Sequence, residues 1–460
     1  MKSKDRKQAG RGAALIAVLW IVAVMGTITM ILSRQTRLSL KINKNMHESE
    51  QAMMLAEAGV YRAIAELMQD GQQTTNDNLS ENWNNNQSLF FDAPLGKGVY
   101  RLVHPDVEET STVGYGVMDE CGKLNINTAD ANMLLQLPNA TEDVVDAIID
   151  WRDEDSNPQP YGAEDEYYQS LPEPYFPKNN LIDSLEELLL VKGVALDLLY
   201  GEDFNTNGVL DVQENDGQAN YPLDNGDGVL ERGWYPYLTC YSYEKNVDEF
   251  GEARLNINSA DRETMQQKFG SILTDVEIDA IINGRQQNNF QSVGDLLTMT
   301  SANQGVITGG GGGRNQGPGN NNASSNNNTQ GSLTRDHFKE IVDQITVTDE
   351  EDLPGRVNLN TASRTVLICL FQGDEELVDQ VIKYRSSVNG RFNNVGDLLD
   401  VPGITNTQFS QAANLVCTKS AVFSMRSTGY QPQSKAYKEI YAIVDRGGDM
   451  PQIRYWKILR

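Results

Sequence analysis

The sequence predicts an α+β fold: a long amino-terminal helix packed on a small antiparallel sheet, with a large helical domain inserted between the strands. Three observations carry that prediction. An apolar run beginning at Ala13 continues without a break into an amphipathic helical pattern that reaches Met68. A short unit of strand, cap and paired helices occurs three times along the chain. Segments of alternating polarity lie before the first unit and after the third, where the two halves of one sheet would be.

The chain has 460 residues, enough for two to four domains and a core of real size. With 64 acidic against 38 basic residues its formal charge is −26, which repels phosphate backbones and argues against nucleic acid as a partner. The same acidity is compatible with divalent cations, or with a calcium-containing space outside the cytosol. Cys121, Cys240, Cys369 and Cys417 have no spacing suited to zinc. Outside the cytosol they would form one or two disulfides, with Cys369 and Cys417 near one another in a single repeat; the sequence does not choose among the pairings.

The amino-terminal element comes first. Lys2, Lys4, Arg6, Lys7 and Arg11 precede a stretch, Ala13 to Leu32, that carries no charge. About twenty residues at 1.5 Å each span a bilayer core, and the basic flank keeps the amino end in the cytoplasm. Residues 1–12 thus read as a leader and 13–32 as a single transmembrane helix. Past Arg34, Leu38, Ile42 and Met46, then Met53, Ala56, Val60, Ile64 and Met68, recur at three- and four-residue steps on one face. Residues 33–124 are expected to hold the rest of this helix and the first strands.

A basic leader, a glycine and then a retained apolar helix resembles the type IV pilin signature. The resemblance implies cleavage between Gly12 and Ala13 by the prepilin peptidase and methylation of the new amino end at Ala13. It also implies an assembly role for the fifth mature position. Most pilins carry Glu there, to pair with a neighbouring subunit's amino terminus; this chain has Ala17. The K pseudopilins of type II secretion characteristically lack that Glu.

The repeated unit opens with "GKLNINTA" at Gly122, "ARLNINSA" at Ala253 and "GRVNLNTA" at Gly355. In each, a basic residue and a short strand lead to Thr128, Ser259 or Thr361, whose hydroxyl is expected to cap the next helix. A second helix follows ("EDVVDAIIDWRD", "DVEIDAIINGR", "ELVDQVIKYR"), each with an Arg at its end, and then a third ("DSLEELLLVKGV", "QSVGDLLTMTSA", "NNVGDLLDVPGI"). The expected limits are 125–200, 254–300 and 356–420, three-helix or helix-hairpin-helix bundles of SAM-like type. Such units often bind DNA through a glycine-flanked hairpin, and similar "NINTA" openings occur in competence-type DNA receptors. Here Glu142 and Asp143 stand in the first hairpin where a phosphate would sit, the third reads "LFQGDEE", and "VPGIT" at Val401 lacks the second glycine. The units read as protein-contact scaffolds.

The first repeat carries "DWRDEDSNPQPYGAEDEYYQSLPEPYFPKNNLIDSLEELLLVKGV" from Asp150 to Val194. With "GKLNINTA" before it, this block resembles the K pseudopilin family in the order and spacing of its Asp-Trp-Arg-Asp, Gly-Ala-Glu, paired tyrosine and Leu-Glu-Glu-Leu tracts. The resemblance covers the leader, the long helix, this helical region and, less tightly, the carboxyl end. It implies a type IV pilin-like domain interrupted by the helical domain. It also implies a place at the tip of a periplasmic pseudopilus with minor pseudopilins H, I and J above the major pseudopilin, and an anchor in the inner membrane.

"DFNTNGVLDVQE" fits the twelve-residue calcium-loop template, with Asp203, Asn205, Asn207, Asp211 and Glu214 as side-chain ligands, Val209 offering its carbonyl and Gly208 turning the chain. A degenerate echo follows at Asp224, Asn225, Asp227 and Glu231. The implied cofactor is Ca²⁺, and residues 201–235 form this calcium-loop region. Calcium binding in the helical domain is also a K-family property; spacing does not decide whether Asp150, Asp153, Asp155, Glu164 and Asp165 form such a site. Trp151, Tyr167 and Tyr168 read as packing residues.

Residues 301–334 read as a Gly/Asn linker without structure of its own. The last strands, 421–460, should rejoin the sheet. His47, His104 and His337 lie far apart and near no nucleophile motif, so no enzyme is expected. Two alternatives are a minor type IV pilin serving adhesion or DNA uptake, and a signal-anchored calcium-dependent binding protein.

Overall fold

The computed structural model describes residues 5–72, 74–106, 112–219, 223–299, 333–387 and 391–459, with side chains from Gly12 onward. The linker expected at 301–334 falls outside the described residues except for its last two. Helix α1 runs unbroken over Asp5–Asp70, 66 residues. From Gly12 through Met46 every described residue is exposed, Leu15, Trp20, Met30, Leu38 and Met46 among them. Its last turns lie on the sheet.

That sheet is built from β1 (Ala93–Leu95), β2 (Gly98–Leu102), β3 (Met118–Asp119), β4 (Val422–Gln431), β5 (Ala436–Asp445) and β6 (Gln452–Ile458). The order is β1-β2-β4-β5-β6, all antiparallel, and β3 also pairs with β4. Early and late strands therefore join in one sheet, meeting at β4, as the flanking alternation predicts. Ala56, Val60, Ala63 and Leu67 of α1 meet Leu102, Phe423, Met425, Ile440 and Val444 in one buried cluster.

The buried stripe of α1 differs from the expected one. Ala52, Ala56, Val60, Ala63 and Leu67 are buried, while Met53 and Ile64 only flank them. Small side chains face the sheet because the helix comes very close: a Cβ on Gly429 of β4 would lie 2.0 Å from the Ala52 carbonyl oxygen. A methionine stripe would hold the two apart.

The chain leaves the sheet after β3 and re-enters it before β4, and everything between is the helical insert. Each of its three units is closed by a two-residue parallel pair: Leu124–Asn125 with Leu238–Thr239, Leu255–Asn256 with Ile345–Thr346, and Val357–Asn358 with Val416–Cys417. The second helices are α2 (Glu142–Arg152), α3 (Asp275–Gln287) and α4 (Glu375–Arg385). The same latch recurs in every unit. The guanidinium of Arg152, Arg285 or Arg385 donates to two carbonyls of the opening turn, those of Ile126 and Ala129, Ile257 and Ala260, or Leu359 and Ala362. The second Asn of each opening, Asn127, Asn258 or Asn360, exchanges two hydrogen bonds with the backbone of Ile182, Phe290 or Phe392.

Several expectations are corrected. The helix caps are Asp130, Asp261 and Ser363, two residues beyond Thr128, Ser259 and Thr361. The side chain of Thr361 turns away to donate to Asp119 at 2.6 Å. The third helices are 3₁₀ turns, Leu185–Leu190, Val293–Leu297 and Val395–Asp400. The closing pairs carry the first unit to Thr239 and the second to Thr346, so the limits at 200 and 300 fall inside closed units. The basic residue opening each unit has a buried acid: Lys123 meets Glu120 at 2.6 Å, and Glu244 receives both Arg254 at 2.7 Å and Arg356 at 2.8 Å. Burial alone would raise the Glu244 carboxyl, but the two guanidiniums outweigh it and hold it below its usual range.

Gly429→Val is expected to force α1 off β4 and destabilise the sheet domain by about 1–3 kcal/mol, seen as a lower thermal midpoint. Tyr61→Ala, on the exposed side of the same helix, is expected to stay within about 0.5 kcal/mol of the parent.

Candidate metal centre

The acidic loop after α2 is drawn inward by one residue. Asp150 is fully buried, and its carboxylate accepts the backbone N–H groups of Gln159 at 3.0 Å and Ala163 at 2.7 Å. This folds the loop back and places Glu164 beside Asp153 and Asp155, with one oxygen from each of the three within 4.8 Å of the others. Both Glu164 carboxylate oxygens, one of Asp153 and the amide oxygen of Asn179 are buried with no hydrogen-bond partner. Asn179 is tied to the loop through its amide N–H₂, which donates to the Asp155 carbonyl at 2.9 Å. Burial, with Asp150, Asp153, Asp165 and Asp155 around it, pushes Glu164 up to about 7. Such a set of orphaned hard oxygens fits Ca²⁺, which would neutralise the carboxylates and satisfy their lone pairs. Beneath it Trp151 and Tyr168 pack edge to face at 5.3 Å, and the Trp151 indole donates to Glu187. Their role is packing, as the sequence suggests.

Sequence reasoning missed Asn179 because it stands 24 residues beyond Asp155. Its one local signal is that the position takes a left-handed backbone, φ 45°, where Asn is among the tolerated residues.

The predicted twelve-residue loop takes the expected turn. Gly208 has φ +72°, and its N–H, with that of Asn207, is donated to the Asp203 carboxylate at 2.9 Å. Asp203 and Glu214 are buried, and burial raises both carboxyls. The amide N–H₂ groups of Asn205 and Asn207 are turned toward Asp211 and Glu214. A half-turn of each amide would present oxygen in place of nitrogen, giving the all-oxygen set that calcium takes. Val209 is exposed, its N–H donated to Asn207.

The echo is different in kind. Asp224 accepts N–H groups from Asp216, Gly217 and Gly226, which hold its carboxyl below the usual range although desolvation opposes them. Asn225 and Asp227 each accept the N–H two residues on. Those side chains build turns. The residue organising this stretch is Glu202, unnoticed in the sequence, whose buried carboxylate accepts the N–H groups of Asn225 and Glu231.

A second acidic triad, Asp70, Asp77 and Glu81, already holds a cation of its own: Arg446 pairs with Asp70 at 3.0 Å and with Asp77, while Glu81 accepts the Trp83 indole N–H. Gly12, Ala13 and Ala17 lie along the exposed part of α1. The four cysteines carry free thiols, and the thiol beside Cys417 belongs to Cys121, not Cys369.

Glu164 titrates near 7 in the fold against an ordinary value of 4.5. The folded state therefore holds that proton longer, and the stability it contributes is full below about 4.5 and lost as pH rises through 7. With a chelator present, the thermal midpoint should fall over that window. Glu164→Gln should flatten the fall, and calcium should reverse it in the parent but not in the variant.

Residues 125–200 match the family model described as type II secretion system protein K, and residues 355–417 match a helix-hairpin-helix motif. Type II secretion system protein K of Aeromonas hydrophila is 30% identical over 202 residues, 40% of this chain and 59% of that protein. That of Pectobacterium carotovorum subsp. carotovorum is 27% identical over 199 residues, 41% of this chain and 60% of that protein. The matched stretch thus spans about three-fifths of these relatives. A solved structure, the GspK-GspI-GspJ complex of enterotoxigenic Escherichia coli, covers 90% of this chain and 98% of its own at TM-score 0.45 and 11% identity. The unit that carries the buried Asp150 and the acidic centre is the one that matches, and over it the chain is similar to type II secretion system protein K.

Proposed function

We propose that the chain is a minor pseudopilin at the tip of the type II secretion pseudopilus, taking part in its assembly and in protein export across the outer membrane. The observation that carries this reading is α1. Its apolar stretch is long enough to cross a bilayer and exposed throughout, and the same helix supplies four buried side chains to the sheet domain's core. An apolar rod of that extent needs lipid before assembly and neighbouring subunits after it. Ala17 offers no carboxylate to a subunit in front, as befits the first position in a filament. The neighbours in this reading are minor pseudopilins I, J and H, with the major pseudopilin below. The prepilin peptidase acts at Gly12–Ala13, and the bulk lies on the periplasmic side of the inner membrane.

The work is steric, not catalytic. In this reading the insert crowns the filament and blocks addition of a subunit above it. Nucleic acid is disfavoured at the hairpins, because Glu142 and Asp143 open α2 and Glu375 and Glu376 open α4, occupying the helix ends a phosphate would need. Calcium in this reading stabilises the insert at the Glu164 centre and at the Asp203–Glu214 loop.

Intact mass and amino-terminal sequencing of the membrane-extracted chain, made with and without a prepilin peptidase, test the reading. A methylated Ala13 end that depends on the peptidase is expected; an uncut Met1 would overturn it. Calorimetric titration with calcium should resolve two classes of site. Glu214→Gln is expected to weaken the loop site at least about tenfold, or 1.4 kcal/mol, and to leave the Glu164 centre unchanged.

A further inference from the structure

We infer that Cys121 and Cys417 form a disulfide that closes the neck of the helical insert. Cys121 sits in the turn Glu120–Gly122, directly after β3, and Cys417 in the closing strand just ahead of β4. Both are fully buried and lie beside each other, with the Cys121 thiol donating to the Tyr243 carbonyl at 3.4 Å. The two turns are held together by groups other than sulfur. Asp119 accepts the Cys121 N–H on one carboxylate oxygen at 2.7 Å, and Thr361, Ser420 and Asn358 on the other at 2.6, 2.7 and 2.9 Å. Asn358 is the register partner of Cys417, and the Leu359 N–H is donated to the Cys417 carbonyl. Two thiols buried side by side between turns that share Asp119 need only a local shift to reach disulfide geometry. Cys369 instead lies in the core of the third unit, and Cys240 stands among Glu120, Glu186 and Glu187.

The chemistry is thiol–disulfide exchange with an external protein disulfide. One thiolate attacks it to give a mixed disulfide, and the second thiol displaces the donor. Two electrons and two protons leave with the donor as its dithiol. In the folded chain burial raises the Cys417 thiol well above its usual range, and no route leads to either sulfur from solvent. Exchange therefore precedes closure of the neck, and the finished bond resists reductants that do not unfold the chain.

The inference rests on the reading that the insert lies outside the cytosol, and the experiment separates the two. The full-length chain is extracted from membranes, denatured without reductant, alkylated and mapped by mass spectrometry, alongside protease treatment of spheroplasts. Two labelled thiols, on Cys240 and Cys369, and a linked peptide pair containing Cys121 and Cys417 are expected; reductant should raise the label to four, and Cys121→Ser should give three without it. Four labelled thiols on a chain that protease digests in spheroplasts, or a link through Cys240 or Cys369, would overturn the disulfide. If protease spares the insert, the topology fails instead. Refolding of the full chain in a glutathione redox buffer then decides: the linked pair supports the inference, and four free thiols overturn it.

Discussion

Asp119 is the constraint on which the two halves of the molecule depend. It is a buried carboxylate at the end of β3, and the side chains it binds come from the third unit and from the approach to β4. Burial, together with Asp77, raises its carboxyl to about 6, so the donors around it offset only part of the cost of desolvation. A long insertion can leave a sheet and return to it without splaying the strands only if its ends are fixed to one another. Here Asp119 is the centre of that fixing, with Asp77 beside it accepting the Ser420 N–H, and β4 is left free to pair with β2, β3 and β5 at once.

Above this neck the insert is made of units that solve one packing problem in the same way. A short opening strand has no sheet to join, so its backbone groups must find partners elsewhere. The closing dipeptide supplies some, and the Arg near the end of the second helix covers two carbonyls, while the second Asn pairs with the backbone ahead of the 3₁₀ turn and ties that turn to the opening. Each unit is consequently complete in itself. The buried Glu244, shared by Arg254 and Arg356, then ties the second unit to the third. Removing either partner would strand a charge in a place with little water.

Much of this was legible in the sequence, and the misses share a cause. The three openings, the second helices with the Arg near their end, the turn at Gly208 and the joining of early and late strands in one sheet all follow from local pattern. What Arg152 or Asn127 binds does not, because the partners lie 23 to 55 residues away and are backbone groups of no particular type. The caps were misplaced because Thr361 resembles a cap locally but serves Asp119 instead. The apolar stripe of α1 was right at Ala56 and Val60 but drawn one residue off at Met53, Ile64 and Met68, where Ala52, Ala63 and Leu67 are buried instead. Asn179 and Glu202 escaped for a further reason: they act on loops whose acids look sufficient without them.

The length of α1 has a mechanical consequence. From Leu32 to Asp70 it continues without a break, a distance of about 57 Å at 1.5 Å per residue. Because its last turns are clamped to β4, this rod fixes the height at which the neck rides above the bilayer. Any axial push or rotation applied at the membrane end must arrive at the insert as a rigid displacement.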